Sequence, residues 1–165
     1  MEDNKPENTS ESGENFTNVT DSFTTLISRM CNAHHWVVRE IDEAHAVIEF
    51  KLNETRFQTL FIFGFDENVE FSVPSFAAFD SLEQIPHLIS SSLLQINAKT
   101  KIGFWCLEEI GGKLVYTYMH NIKLSQLDEK LFGDIVMTLV QRVDEFESLL
   151  VNLSSQGNPK IDLPQ

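Results

Sequence analysis

Phe132, Val136, Leu139, Val143, Phe146, Leu150 and Leu153 recur at alternating steps of four and three residues. That spacing holds all of them on one stripe of an α-helix. At about 1.5 Å per residue the helix runs on the order of 40 Å. Ile135, Val140 and Leu149 flank the stripe and widen it beyond a coiled-coil seam, so the pattern predicts a long helix lying on a sheet. Ser125 and Asp128 precede it as a variant capping box.

Upstream, the period is two. Ala46, Ile48, Phe50 and Leu52 alternate with His45, Val47, Glu49 and Lys51. After a turn at Asn53-Glu54, Phe57, Thr59, Phe61, Phe63 and Phe65 alternate with Arg56, Gln58, Leu60 and Ile62. Trp36 to Ile41 is also strand-like, and a short strand from Val69 to Val73 is expected to stop at Pro74, which cannot donate to a ladder. Connections this short join antiparallel neighbours only.

Two more helices and a hairpin complete the pattern. Phe23, Leu26, Ile27 and Met30 share one face of a helix that starts at Thr20 or Asp21 and ends near Asn32. Leu82, Ile85, Ile89, Leu93 and Ile96 take helical spacing between Ser81 and Ala98, with Pro86 in the first turns. Lys101 to Glu108 and Lys113 to His120 flank a turn at Gly111-Gly112. The fold class is α+β with an antiparallel sheet, in the order α-β-β-β(-β)-α-β-β-α. Residues 19–153 are expected to form one domain. Residues 1–18 read as a disordered acidic tail, and 154–165, with Gly157, Pro159 and Pro164, as a flexible one.

The chemistry expected of an enzyme is missing from this sequence. It has no phosphate-cradling GxGxxG or GxxxxGK[ST] loop, no GxSxG elbow and no HExxH pair. His34 and His35 are adjacent, so on an extended segment they point to opposite faces and make a poor metal pair. Cys31 and Cys106 lack CxxC spacing and read as reduced, packed thiols. Asp144, Glu145 and Glu147 read as a solvated helix face. No catalytic residue, cofactor or metal ligand is assigned. Twenty-five acidic against 12 basic residues give a formal charge of −13, which repels phosphates and anionic lipid, so neither nucleic acid nor membrane is an expected partner. The N-terminus has neither the basic start nor the apolar stretch of a secretory signal, and cytoplasmic localisation is expected.

Several strands are apolar on both faces. An antiparallel sheet covered by helices on one side usually keeps the other side polar. Either three helices cover both faces, or part of the second face buries itself in a second copy or a partner chain, and the second is the one expected. Leu60, Ile62, Trp105 and Leu107 are the expected outward contacts.

The segment LLQINAKTKIGFWCLEEIGGKLVYTYMHNIKLSQLDEKLFGDIVMTLVQRVDEFESLL, Leu93 to Leu150, resembles the C-terminal half of type III secretion chaperones. Leu93, Leu94 and Asn97 match the helix-ending turn of that family, and Leu124, Leu127 and Asp128 match its connection into the closing helix. The helix and meander from Thr20 to Phe76 fit the same layout. The chain is similarly close to the YbjN-like proteins, a bacterial group thought to share the fold, and its long polar N-terminus and Phe-dense third strand favour that branch. The resemblance implies a small acidic homodimer whose apolar patches hold an extended segment of a client protein. A second expectation is a regulatory or sensor domain with a small apolar ligand between the sheet and the C-terminal helix.

Overall fold

The computed structural model describes residues 22–155, so both the expected N-terminal tail and residues 156–165 lie outside it. The elements are α1 (Phe23–Ala33), β1 (Val38–Ile41), β2 (His45–Lys51), β3 (Phe57–Phe65), β4 (Asn68–Phe79), α2 (His87–Asn97), β5 (Phe104–Ile110), β6 (Lys113–Lys123) and α3 (Glu129–Ser155). The expected α+β class and element order are both present. The six strands form one antiparallel sheet in the order β1-β2-β3-β4-β6-β5.

The local rules explain most element ends. Thr20 and Asp21, expected as caps, lie outside the described residues; Ser22 caps α1 instead, its Oγ accepting the Thr25 N–H at 3.3 Å. At the other end of α1, His35 adopts a left-handed φ of 58°. That lets the Trp36 N–H reach the Cys31 carbonyl at 2.9 Å and the His35 N–H reach that of Asn32 at 3.1 Å, closing the helix. Gly111 and Gly112, with φ of 60° and 79°, make the two-residue turn between β5 and β6 that twisted strands favour.

Several boundaries differ from the expected ones, including the ends of β1, β5 and β6. β4 does not stop at Pro74 but continues to Phe79. Its pairing with β3 ends at Ser72, and its ladder to β6 shifts register between Pro74 and Ala78, so proline sits at an irregularity where a missing donor is tolerated. The segment after Ser81 divides into a single 3-10 turn, Leu82–Gln84, and α2, with Pro86 at the N-cap rather than inside the helix. Asp128, not Ser125, caps α3: its Oδ1 accepts the Leu131 N–H at 2.7 Å, and Ser125 falls in the 3-10 turn Leu124–Gln126.

α3 lies on the sheet against β3, β4 and β6, as its apolar stripe requires. Phe132, Val136, Leu139, Val143, Phe146 and Leu150 are buried there with Leu60, Ile62, Val69, Phe71, Val73, Tyr116 and Tyr118. Burial of each such side chain stabilises by about 1.5–3 kcal/mol. Leu26, Ile27, Met30 and Cys31 of α1 and Leu93 of α2 join the same core. All three helices therefore cover one face of the sheet. Asn97, at the end of α2, stands in for a missing neighbour of edge strand β5: its amide donates to the Trp105 carbonyl at 2.9 Å and accepts the Trp105 N–H at 2.7 Å.

Candidate protein-binding face

The alternation of β3 sorts its side chains cleanly. Gln58, Leu60 and Ile62 are buried against the helices, whereas Phe57, Thr59, Phe61, Phe63 and Phe65 point the other way. Pairing carries that second face across the sheet. Val47 opposes Phe61, Phe61 opposes Ser72, Ser72 opposes Met119, and Met119 opposes Phe104. One row thus crosses five strands, about 19 Å at the usual strand spacing. None of its members belongs to the core cluster beneath the helices.

The Phe residues form a ladder along β3. The rings of Phe61 and Phe63 lie 6.3 Å apart and nearly parallel, and those of Phe63 and Phe65 lie 6.2 Å apart. His45 of β2 packs 5.1 Å from Phe63. Phe57 and Phe65 at the ends are about half exposed, at 49% and 55%, and Phe104 and Ile110 continue the apolar surface on β5. Between these two apolar zones runs a polar seam. Ser72 and Thr117 are buried beneath taller neighbours, and the Thr117 Oγ1 has no hydrogen-bond partner.

Acidic groups lie on the same face. Burial, then the nearby Glu108 carboxylate, raises Glu70 above the usual carboxylate range. The Cys106 thiol, opposite Thr117, is pushed up to about 12 by burial first and then by Glu108 and Glu70. A protonated thiol of this kind is a weak nucleophile. Among the described residues, no group of three or more His, Cys, Asp or Glu is placed to hold a metal ion, and no helix is long and apolar enough to cross a membrane.

The outward contacts expected from the sequence need correction. Leu60 and Ile62 are fully buried, and Trp105 is 5% exposed, packed 4.7 Å from Phe146 of α3. Leu107 remains 37% exposed, on the helical side of edge strand β5. The two faces of the central strands were exchanged: the Phe row is the open one. Alternation separates the faces, but both are apolar, so hydrophobicity alone did not say which of them α3 covers.

Glu147 is a second correction. Far from lying on a solvated face, it is buried, and its carboxylate accepts from the Gln58 side chain at 2.5 Å and from the Phe76 N–H at 2.8 Å. Arg56 sits beside it, bonded to Asp144 and to the Ser148 hydroxyl.

No family model and no curated protein matches this sequence. A solved structure does match its shape. One chain of the crystal structure of the ExsC–ExsE complex superposes with a TM-score of 0.55 at 14% identity, over 79% of this chain and 97% of that one. At that identity the likeness is one of fold. It agrees with the α+β order of helices and strands expected from the sequence.

Proposed function

We propose that this protein is a non-enzymatic, chaperone-like binding module that holds an apolar or extended segment of a partner protein and works as a homodimer. The observation that carries this reading is the sheet face bearing Phe61, Phe63 and Phe65, on which none of the three helices packs. A broad apolar surface of this kind is a common mark of a protein interaction site. The ladder of rigid rings supplies contact area at little entropic cost. The solved chain of similar shape comes from a complex of two proteins, which supports a protein as the occupant. Self-association is assigned to the edge beside α2, where Leu94 and Leu107 are exposed.

The test is a peptide array of apolar and extended segments probed with the wild-type protein and with Phe63→Glu. The reading requires binding by the first and loss with the second, while Leu94→Glu converts the dimer seen by light scattering to a monomer. Equal binding by wild type and Phe63→Glu removes the face from consideration.

A second reading, a sensor for a small apolar ligand, has one observation in its favour. A cleft of about 300 Å³ opens between α2 and α3 above Trp105. Phe146 is the one phenylalanine lining it, so the Phe row of β3 takes no part in it. Co-purification of a small molecule displaced by Leu149→Trp supports that reading.

A further inference from the structure

The open face of the sheet has relief. In the row that crosses it, Phe61 of β3 is partly exposed and Phe104 of β5 is exposed, whereas Ser72 of β4 and Met119 of β6, between them, are buried. The polar seam is therefore the floor of a trough with aromatic walls. Along β6 that floor runs from Asn121 through Met119 and Thr117 to Val115. Glu70 stands opposite Asn121 at one end, and Glu108 opposite Val115 at the other.

Three observations say what the trough lacks. Among the described residues, neither Glu70 nor Glu108 has an ion-pair partner, although both are half-buried. Their carboxylates are near enough for Glu108 to raise Glu70, and both act on the Cys106 thiol opposite Thr117. Thr117 is fully buried on this same face, and its Oγ1 has no hydrogen-bond partner. Two negative charges and an idle oxygen accept a positive donor. A second copy is a poor occupant, because a two-fold contact through this face sets carboxylates against carboxylates on a chain of formal charge −13.

Resting on the sheet-face reading of the protein's function, we propose that the segment held there carries a lysine or arginine with an apolar side chain two residues away on each side. The spacing follows from the strands. From β3 to β5 is three strand intervals, about 14 Å. An extended segment crossing the strands covers about 13 Å in four residues, and its alternate side chains point the same way. Residues i and i+4 then pack on Phe61 and Phe104, and residue i+2 lies over Ser72 and Met119. A cation on residue i+2 stands beside Glu70, the next residue along β4 on this face. Its N–H groups donate to that carboxylate in a trough shielded from bulk water, where such a bond is stronger than on an open surface.

Calorimetric titration of the full chain with three nine-residue peptides tests this. Each carries the central order leucine, serine, X, serine, leucine between glycines, where X is lysine, norleucine or glutamate. The lysine peptide is expected to bind about tenfold tighter than the norleucine peptide, and the glutamate peptide more weakly than either. Glu70→Gln is expected to remove most of that preference and to leave the norleucine peptide's affinity unchanged, which also shows the variant to be folded. Glu129→Gln takes the same charge from the start of α3, on the helical side, and is expected to keep the preference. Equal affinity for the lysine and norleucine peptides overturns the proposal. So does an equal loss with Glu129→Gln, because the preference then belongs to the net charge of the chain. Equally tight binding with the lysine moved one place along, which turns it to the other side of the segment, overturns it as well. The norleucine peptide judges the sheet face separately: its binding must be lost with Phe63→Glu. If that binding survives Phe63→Glu, or if none of the peptides binds, the sheet-face reading falls together with the proposal.

Discussion

Glu147 of α3 accepts the backbone N–H of Phe76 across 2.8 Å, at the stretch of β4 where the ladder to β6 loses its register. The irregularity frees a donor and the helix supplies the acceptor, so one carboxylate ties the bend in β4 to α3. Burial raises Glu147 above the usual carboxylate range, opposed by its bonds from Phe76 and Gln58 and by Arg56.

The sign follows from the raised value. The folded chain holds a proton on Glu147 at pH values where the unfolded chain has lost it, so stability from this group is present at low pH and declines as pH rises through the folded pKa. Relative to Glu147→Gln, the wild type is expected to gain stability as pH falls from neutral toward 4.5, as read from urea midpoints of both proteins. Glu147→Ala leaves the Phe76 N–H and the Gln58 amide without an acceptor and is expected to cost about 2 kcal/mol or more.

Adjacent residues on β3 test which face is open. Ile62→Glu places a charge in the core beneath α3 and is expected to unfold the protein. Phe63→Glu, one residue on, is expected to change stability by less than about 1 kcal/mol, because that side chain is only partly buried. Circular dichroism and urea melts of the pair decide it, and the reverse ranking would return Leu60 and Ile62 to the outside. Trp105→Glu should behave like Ile62→Glu.

Gly133 of α3 packs against the ring of His34, whose Nε2 would lie 2.8 Å from an added Cβ. The ring has little room to retreat, being stacked on Trp36 at 4.6 Å and bonded to the Glu129 carbonyl at 2.9 Å. Gly133→Ala is expected to destabilise by about 1–3 kcal/mol through overpacking. In a His34→Ala background the same change is expected to stabilise by up to about 1 kcal/mol, since alanine is the better helix former. Thermal melts of the four proteins in the cycle measure this reversal.

Cys106 is expected to resist alkylation up to pH 9, because burial and then the Glu108 and Glu70 carboxylates hold its thiol protonated, its pKa pushed up to about 12. Cys31, pushed up to about 11 by burial alone, is expected to resist as well. Glu108→Gln removes one of the two opposing charges, so Cys106 is expected to react faster while Cys31 is unaffected. Peptide mapping after timed iodoacetamide treatment separates the two thiols.

Much of the architecture was legible because it rests on local rules. The 4-3 stripe of α3, the alternation of β2 and β3 and the glycine pair between β5 and β6 each specify a shape through the chain's own geometry. Asn97, first noticed as part of a helix-ending turn, serves a non-local end: it satisfies the edge of β5 at Trp105. Glu147 was misread for the complementary reason. Its neighbours Asp144 and Glu145 are hydrophilic, and nothing in the local pattern says that Gln58 and Phe76 arrive from 89 and 71 residues away.

That β3 has two unlike faces could be read from the order of its residues, because successive side chains of a strand must point in opposite directions. Which face is covered is settled by packing between distant elements. That choice depends on how α3 docks across β3, β4 and β6, and both rows of β3 are apolar enough to have received it. With Leu60 and Ile62 beneath the helix, the rings of Phe61, Phe63 and Phe65 are left on the open side.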